Sequence, residues 1–250
     1  MHTRDPATQS PWQRMLGIEF SPVSHRERLI SALGGFVGLL LVFALSRSLL
    51  DAGAAPILML SIASSAVLLF AVPHGALSQP WPVLGGHLVS AAIGVACARH
   101  VPDPLLAASL ATGLAIGAMH YLRCIHPPAA ATALAAVLGS EQVRALGYGF
   151  LVTPVLINVL IILAVAVAFN AAFPWRRYPA FLARRSVPAA PATAGYEAIS
   201  HEDFVFALTQ MDSFIDVSEE DLLRIYSLAT GRHRAVATQA AASSRTLPPR

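Results

Sequence analysis

Residues 29–173 read as six apolar runs, separated by short breaks that carry most of the prolines and charges. The runs cover residues 29–49, 54–72, 83–98, 104–122, 127–138 and 148–172. A helix needs ~20 residues to cross a hydrocarbon core of ~30 Å. The first, fourth and sixth runs have that length, and the second nearly does. The third falls about one turn short, and the fifth is too short to cross alone. Short, proline-led apolar elements between full spans are the pattern of broken or re-entrant helices. Such elements are tolerated only where protein or a water-filled cavity satisfies their backbone. The pattern predicts an all-α integral membrane bundle of four to six helical elements, with an interior site at the fifth.

Composition makes lipid the solvent that fits. The chain is 55% hydrophobic and only 12% charged, with a mean hydropathy of +0.59, where a soluble domain carries about 25% charged residues. Between positions 29 and 173 the charges are Arg47, Asp51, Arg99, Asp103, Arg123, Glu141 and Arg144. Arg14, Arg26 and Arg28 precede the first run, and Arg176, Arg177, Arg184 and Arg185 follow the last. This bias places both termini in the cytoplasm, as in a multi-pass protein of a bacterial inner membrane. It requires an even number of crossings, either four with two re-entrant elements or six. Residues 1–28 are polar and show no signal-peptide pattern.

The six runs also read as three plus three. Gly34-x-x-x-Gly38 in the first is echoed by Gly113-x-x-x-Gly117 in the fourth, and Ala63-Ser64-Ser65-Ala66 by Ala130-Ala131-Thr132-Ala133. The halves are inverted if all three elements of each cross, and parallel if the middle one is re-entrant. Beyond the membrane part, residues 174–195 form an Arg/Pro/Ala linker. Residues 196–230 read as two short cytosolic helices, with Ser200 and Ser218 each three residues ahead of an aspartate as in a capping box. Residues 231–250 lack apolar periodicity and are expected to be disordered.

Candidate chemistry comes from polar residues inside the apolar runs, which are costly there and so are functional candidates. His87 lies in the third run and His126 opens the fifth. Ser61, Ser64 and Ser65 lie in the second, Ser90 in the third, Thr132 in the fifth and Asn158 in the sixth. Serine and threonine can also bond to the preceding turn, and His120, near a run's end, reads as interfacial. Arg47, Arg99 and Arg123 can snorkel from run ends. Arg123, three residues before His126, could flank the same helix break and attract an anion. Gly34, Gly38, Gly86, Gly94, Gly113 and Gly117 place small faces for close helix packing or self-association. Cys97 and Cys124 read as packing residues.

No aspartate or glutamate lies inside a run. That removes carboxylate metal ligands and acid/base pairs, so no cofactor, metal or enzymatic activity is expected. Nucleic acid is no expected partner, because the arginines flank the membrane part. What remains suits a small neutral or anionic solute. Half-helix N-termini at Pro56 and at Pro127 and Pro128, with the Ser64, Ser65 and Thr132 hydroxyls beside them, would favour an anion without a buried cation.

The string His126-Pro127-Pro128-Ala129-Ala130-Ala131-Thr132 resembles the signature of the HPP family of membrane proteins. Ser64-Ser65-Ala66-Val67-Leu68-Leu69-Phe70, Gln79-Pro80-Trp81 and Gly85-Gly86-His87-Leu88-Val89-Ser90 are similar to its other blocks, in the same order. The resemblance implies a multi-pass protein, usually of four helices, and plant and cyanobacterial members are associated with nitrite transport. Ala63 and Ala129 to Ala131 stand where relatives tend to carry glycine. The expectation is a transporter or channel for a small anion, nitrite or a close relative, with residues 56–70 and 126–138 lining its route. The rival readings are a neutral-solute channel and a membrane sensor acting through the cytosolic helices.

Overall fold

The computed structural model describes residues 23–49 and 55–183, together with Trp12, Met15 and Leu16. The tail at 231–250, the cytosolic helices expected within 196–230 and most of 1–28 lie outside the described residues. Among the described residues eight α-helices follow in order: α1 His25–Leu49, α2 Ala55–Ala71, α3 Pro80–His100, α4 Pro104–Tyr121, α5 Ala130–Leu138, α6 Glu141–Ala145, α7 Ile157–Ala171 and α8 Ala180–Ala183. Short 3-10 turns at Ala76–Ser78, Pro127–Ala129 and Pro174–Arg176 connect them, and a widened π-type turn, Leu151–Leu156, leads into α7. Among the described residues there is no strand.

Among the described residues four stretches are long and apolar enough to cross a membrane: His25–Ser46, Pro80–His100, Pro104–Tyr121 and Leu151–Ala171. The third run is therefore longer than its apolar core suggested. Pro80 occupies the first turn, where its missing N–H costs nothing, and Arg99 and His100 suit the last turn. Helix α4 is similarly framed, by Pro104 in its first turn and by the Asp103 carboxylate, which accepts from the Leu106 N–H at 2.7 Å. The sixth run is broken near its start. Thr153 is extended (φ −125°, ψ 108°) because the proline that follows it disfavours helical backbone.

Packing contacts fix the helix directions. On α1, Gly34 approaches Phe70 and Phe169, and Gly38 approaches Phe70 and Ile162. The start of α1 thus lies beside the ends of α2 and α7. Trp81 donates to the Leu122 carbonyl across 3.2 Å, so α3 starts where α4 ends. Gly86 meets His126 and Gly94 meets Ala133 and Ala136, so α3 and α5 run together. The six apolar elements alternate in direction through the bundle, which makes the two triplets inverted. They also interlock: α3 packs on α4 and α5, and α7 packs on α1 and α2.

The outside of this bundle is hydrocarbon. Leu33, Phe36 and Leu40 on α1, Leu105, Leu106 and Leu114 on α4 and Leu160 on α7 are all exposed, as lipid-facing positions must be. At one end, the Arg176 guanidinium is 1% exposed and donates to Asn170, Glu27, Ser31 and the Phe70 carbonyl. This clasp ties the entry of α1 to the exit of α7, so both ends of the membrane part share one side. Beside it the Tyr178 hydroxyl donates to the Ser78 carbonyl at 2.8 Å. Burial pushes that phenol above its ordinary range, keeping it a donor.

Candidate functional site

The polar heart of the bundle lies where α2, α3 and the start of α5 meet. Ser61 and Ser65 are one helical turn apart on α2 and so share a face. His87 and Ser90 share a face of α3 in the same way. His126 comes from the break itself: extended (φ −142°, ψ 96°) ahead of Pro127, it enters the bundle before the Pro127–Ala129 turn starts α5. Thr132 follows on the first turn of α5. Gly86 permits this convergence, because a Cβ there would lie 2.9 Å from the His126 Cβ and 3.0 Å from the Cys124 carbonyl oxygen.

The side chains form one continuous hydrogen-bonded array. Ser61 Oγ donates to the Pro128 carbonyl at 2.7 Å and lies 2.8 Å from Thr132 Oγ1. Thr132 Oγ1 is 2.8 Å from His87 Nδ1, and His87 Nε2 is 3.0 Å from Ser65 Oγ. Ser65 Oγ is 2.8 Å from His126 Nε2, and His126 Nδ1 is 2.9 Å from the Leu77 carbonyl. The imidazole centroids are 5.2 Å apart. All five side chains are fully buried. Ser90, also fully buried, has the one buried side-chain N or O atom among the described residues without a hydrogen-bond partner.

Several expected members stand elsewhere. Ser64 is exposed and bonds back to the Leu60 carbonyl, since it is about 100° around α2 from Ser65. Arg123 takes a left-handed backbone conformation (φ 53°) and its side chain is exposed, away from His126. Pro127 is exposed while Pro128 is buried. Asn158 faces α1, where its side-chain oxygen accepts from Ser46, and its amide donates back to the Pro154 carbonyl one turn earlier. Of the glycines, Gly34, Gly38, Gly86 and Gly94 sit at close approaches, but Gly113 and Gly117 face open space, so no described part of this chain packs on them.

The start of α5 offers less than an ordinary helix N-terminus. Pro127 and Pro128 have no N–H, the Ala129 N–H closes on the His126 carbonyl at 2.9 Å, and the Ala130 N–H closes on Pro127. The dipole remains, yet these positions leave no free amide for an anion. Donors must come from the hydroxyls and imidazoles. Among the described residues no three His, Cys, Asp or Glu side chains gather as a metal site would require. Ser61, one of the polar candidates within the 56–70 run, is a member, its four-residue spacing from Ser65 putting both on one face. The Leu77 carbonyl is the member that sequence reasoning did not name; nothing local marks it.

The HPP transmembrane-region family matches residues 20–179. Two transmembrane proteins of Dictyostelium discoideum are each 37% identical to this chain. One matches over 176 residues, 68% of this chain and 56% of the relative. The other matches over 154 residues, 60% of this chain and 53% of the relative. The chain thus spans about half the length of these relatives. No solved structure matches.

Proposed function

The chain belongs to the HPP transmembrane family, and on that premise we propose that it is a transporter or channel for a small anion, nitrite or a close relative. The route follows the seam of α2 and α5 past His126, Ser65, His87 and Thr132. One observation carries this reading: a bundle with a hydrocarbon exterior keeps a fully buried array of hydroxyls and imidazoles at its core. A polar cluster in that position is expensive in a membrane protein unless it meets a solute or an ion. Hydroxyl and imidazole donors suit a small oxyanion, and among the described residues no carboxylate bonds to the array to repel one. Ser90, one turn beyond His87 with its hydroxyl unpaired, extends the donor surface along α3.

The inverted, interlocked triplets support a transport role, since solute sites in repeat-built transporters lie at the repeat interface and use broken helices. Here the array joins α2 of one triplet to α5 of the other, with α3 across both. The Glu27–Arg176 pair keeps both ends of the membrane part on one side, and the arginines flanking those ends favour the cytoplasm for that side.

The test is nitrite entry into proteoliposomes holding the purified protein, with and without His126→Ala. Losing a donor to a charged solute weakens the interaction by about 1.5–3 kcal/mol, so flux should fall roughly tenfold or more. Nitrite flux no greater than in protein-free liposomes, from protein that elutes as a folded species, overturns the anion reading. Passage of urea in place of nitrite would assign a neutral solute instead.

A further inference from the structure

We propose that the Ser61–Thr132–His87–Ser65–His126 array is a binding site for one exchangeable proton, held in common by the two histidines. The array runs between two backbone carbonyls, that of Pro128 beyond Ser61 and that of Leu77 beyond His126. A carbonyl oxygen only accepts, so each end demands a donor. Six contacts of 2.7 to 3.0 Å span the array, and each needs one hydrogen. With both imidazoles neutral, every ring carries one N–H and every hydroxyl one O–H. Five side chains then supply five hydrogens for six bonds.

With both rings neutral, the gap moves along the array and never closes. If His126 Nδ1–H donates to Leu77, its Nε2 must accept from the Ser65 hydroxyl. Ser65 then accepts from His87 Nε2–H, and His87 Nδ1 accepts from Thr132. Thr132 accepts from Ser61, whose single hydrogen is now unavailable to the Pro128 carbonyl. Beginning at Pro128 shifts the unmet bond to the His126 end. The longer contact of Ser65 Oγ with the Ser61 carbonyl, 3.1 Å, adds an acceptor and no hydrogen.

One proton on either imidazole satisfies all six bonds at once. It can pass between the rings by reversing the donor sense of the Ser65 link, with no side chain leaving its place. A second proton is opposed by charge repulsion across 5.2 Å, with no counter-charge among the described residues bonded to the array. The groups facing the pair are the Ser61 and Ser65 hydroxyls from α2, Thr132 from α5, the Leu77 carbonyl and the backbone of Cys124 beside Gly86. Helix α7 brings only Asn158 and Asn170 as polar side chains. Arg176 is paired with Glu27, Arg99 lies over Tyr148 and Arg123 is exposed. On the transport reading above, on which this consequence rests, the proton supplies the charge that a site without a fixed cation lacks, and proton and anion are carried together.

Ser61→Ala removes one donor and two of the six bonds, leaving four bonds and four hydrogens with both rings neutral. Thr132→Val does the same by cutting the array elsewhere. Both variants keep both histidines, and both abolish the shortage. Full-length protein in lipid bilayers, labelled with ¹⁵N-histidine, is titrated with acid and followed by solid-state NMR. Signals of the pair are assigned with His87→Gln and His126→Gln. The wild type should gain a single imidazolium shared by the pair. In Ser61→Ala and Thr132→Val that protonation should weaken by about tenfold or more, moving down by at least about one pH unit. Coincident titration of wild type and either folded variant, two imidazoliums in the pair, or none, each overturns the proposal. The readout needs no transport, so absent nitrite flux alongside a shared single proton removes only the anion reading.

Discussion

Gly94→Ala tests the close packing that seats α5 against α3. A Cβ at position 94 would lie 2.6 Å from the Ala133 carbonyl oxygen, 2.9 Å from Ala133 Cα and 2.8 Å from Ala136 Cβ. Two of these are backbone atoms of α5, and none can rotate aside. Restoring ordinary contact requires the two helices to part by about 0.4–0.8 Å, a gap that forfeits much of the dispersion energy along the seam. Overpacking of this kind costs about 1–3 kcal/mol, partly offset by the ~0.5–1 kcal/mol that alanine gains over glycine in a helix. The control is Gly113→Ala, the same chemical change on a helix face with nothing within 4 Å. It keeps the propensity gain and has no overpacking, so the difference between the variants isolates the seam at about 1–3 kcal/mol. Reversible unfolding in mixed detergent micelles with increasing SDS measures both. If Gly94→Ala is as stable as Gly113→Ala, α3 and α5 are not in contact as described, and the seating of Thr132 against His87 goes with it.

Arg176→Met should destabilise the bundle by about 2–4 kcal/mol in the same unfolding assay, because it leaves the Asn170 side-chain oxygen and the Phe70 carbonyl without this donor and the Glu27 carboxylate without its cation, with Trp175 Nε1 still donating to it. The value sits somewhat below that of a fully buried pair because the Glu27 side chain keeps 26% of its exposure; no measurable change would remove the clasp as the element closing α1 on α7. Arg123→Gly should raise stability by about 0.5–1 kcal/mol, since glycine adopts the left-handed conformation at φ 53° without the Cβ penalty. A loss of stability there would show that the Arg123 side chain holds the loop before His126.

The membrane environment, the helical class and the weak point at the fifth run were legible from the order of apolar residues alone. These depend on local quantities: the length of an apolar run, a proline at its start and the rarity of charge within it. The same holds for His87, His126 and Thr132 as candidates, because a polar residue stands out against hydrocarbon wherever it is. What local pattern could not decide was direction and partnership. The third run was misjudged because helix ends tolerate Pro80, Trp81, Arg99 and His100, which an apolar count leaves out. Ser64, Ser65 and Thr132 looked equivalent in sequence, yet rotation about the helix axis sends Ser64 outward and Ser65 into the array. Gly34 and Gly113 carry the same motif, but among the described residues only the first meets a neighbour. The shortage of one hydrogen exists only in three dimensions, since it arises from two carbonyls, Leu77 and Pro128, that capture the ends of an array drawn from distant parts of the chain. Sequence fixes which groups can donate and accept; only tertiary packing decides which of them must share.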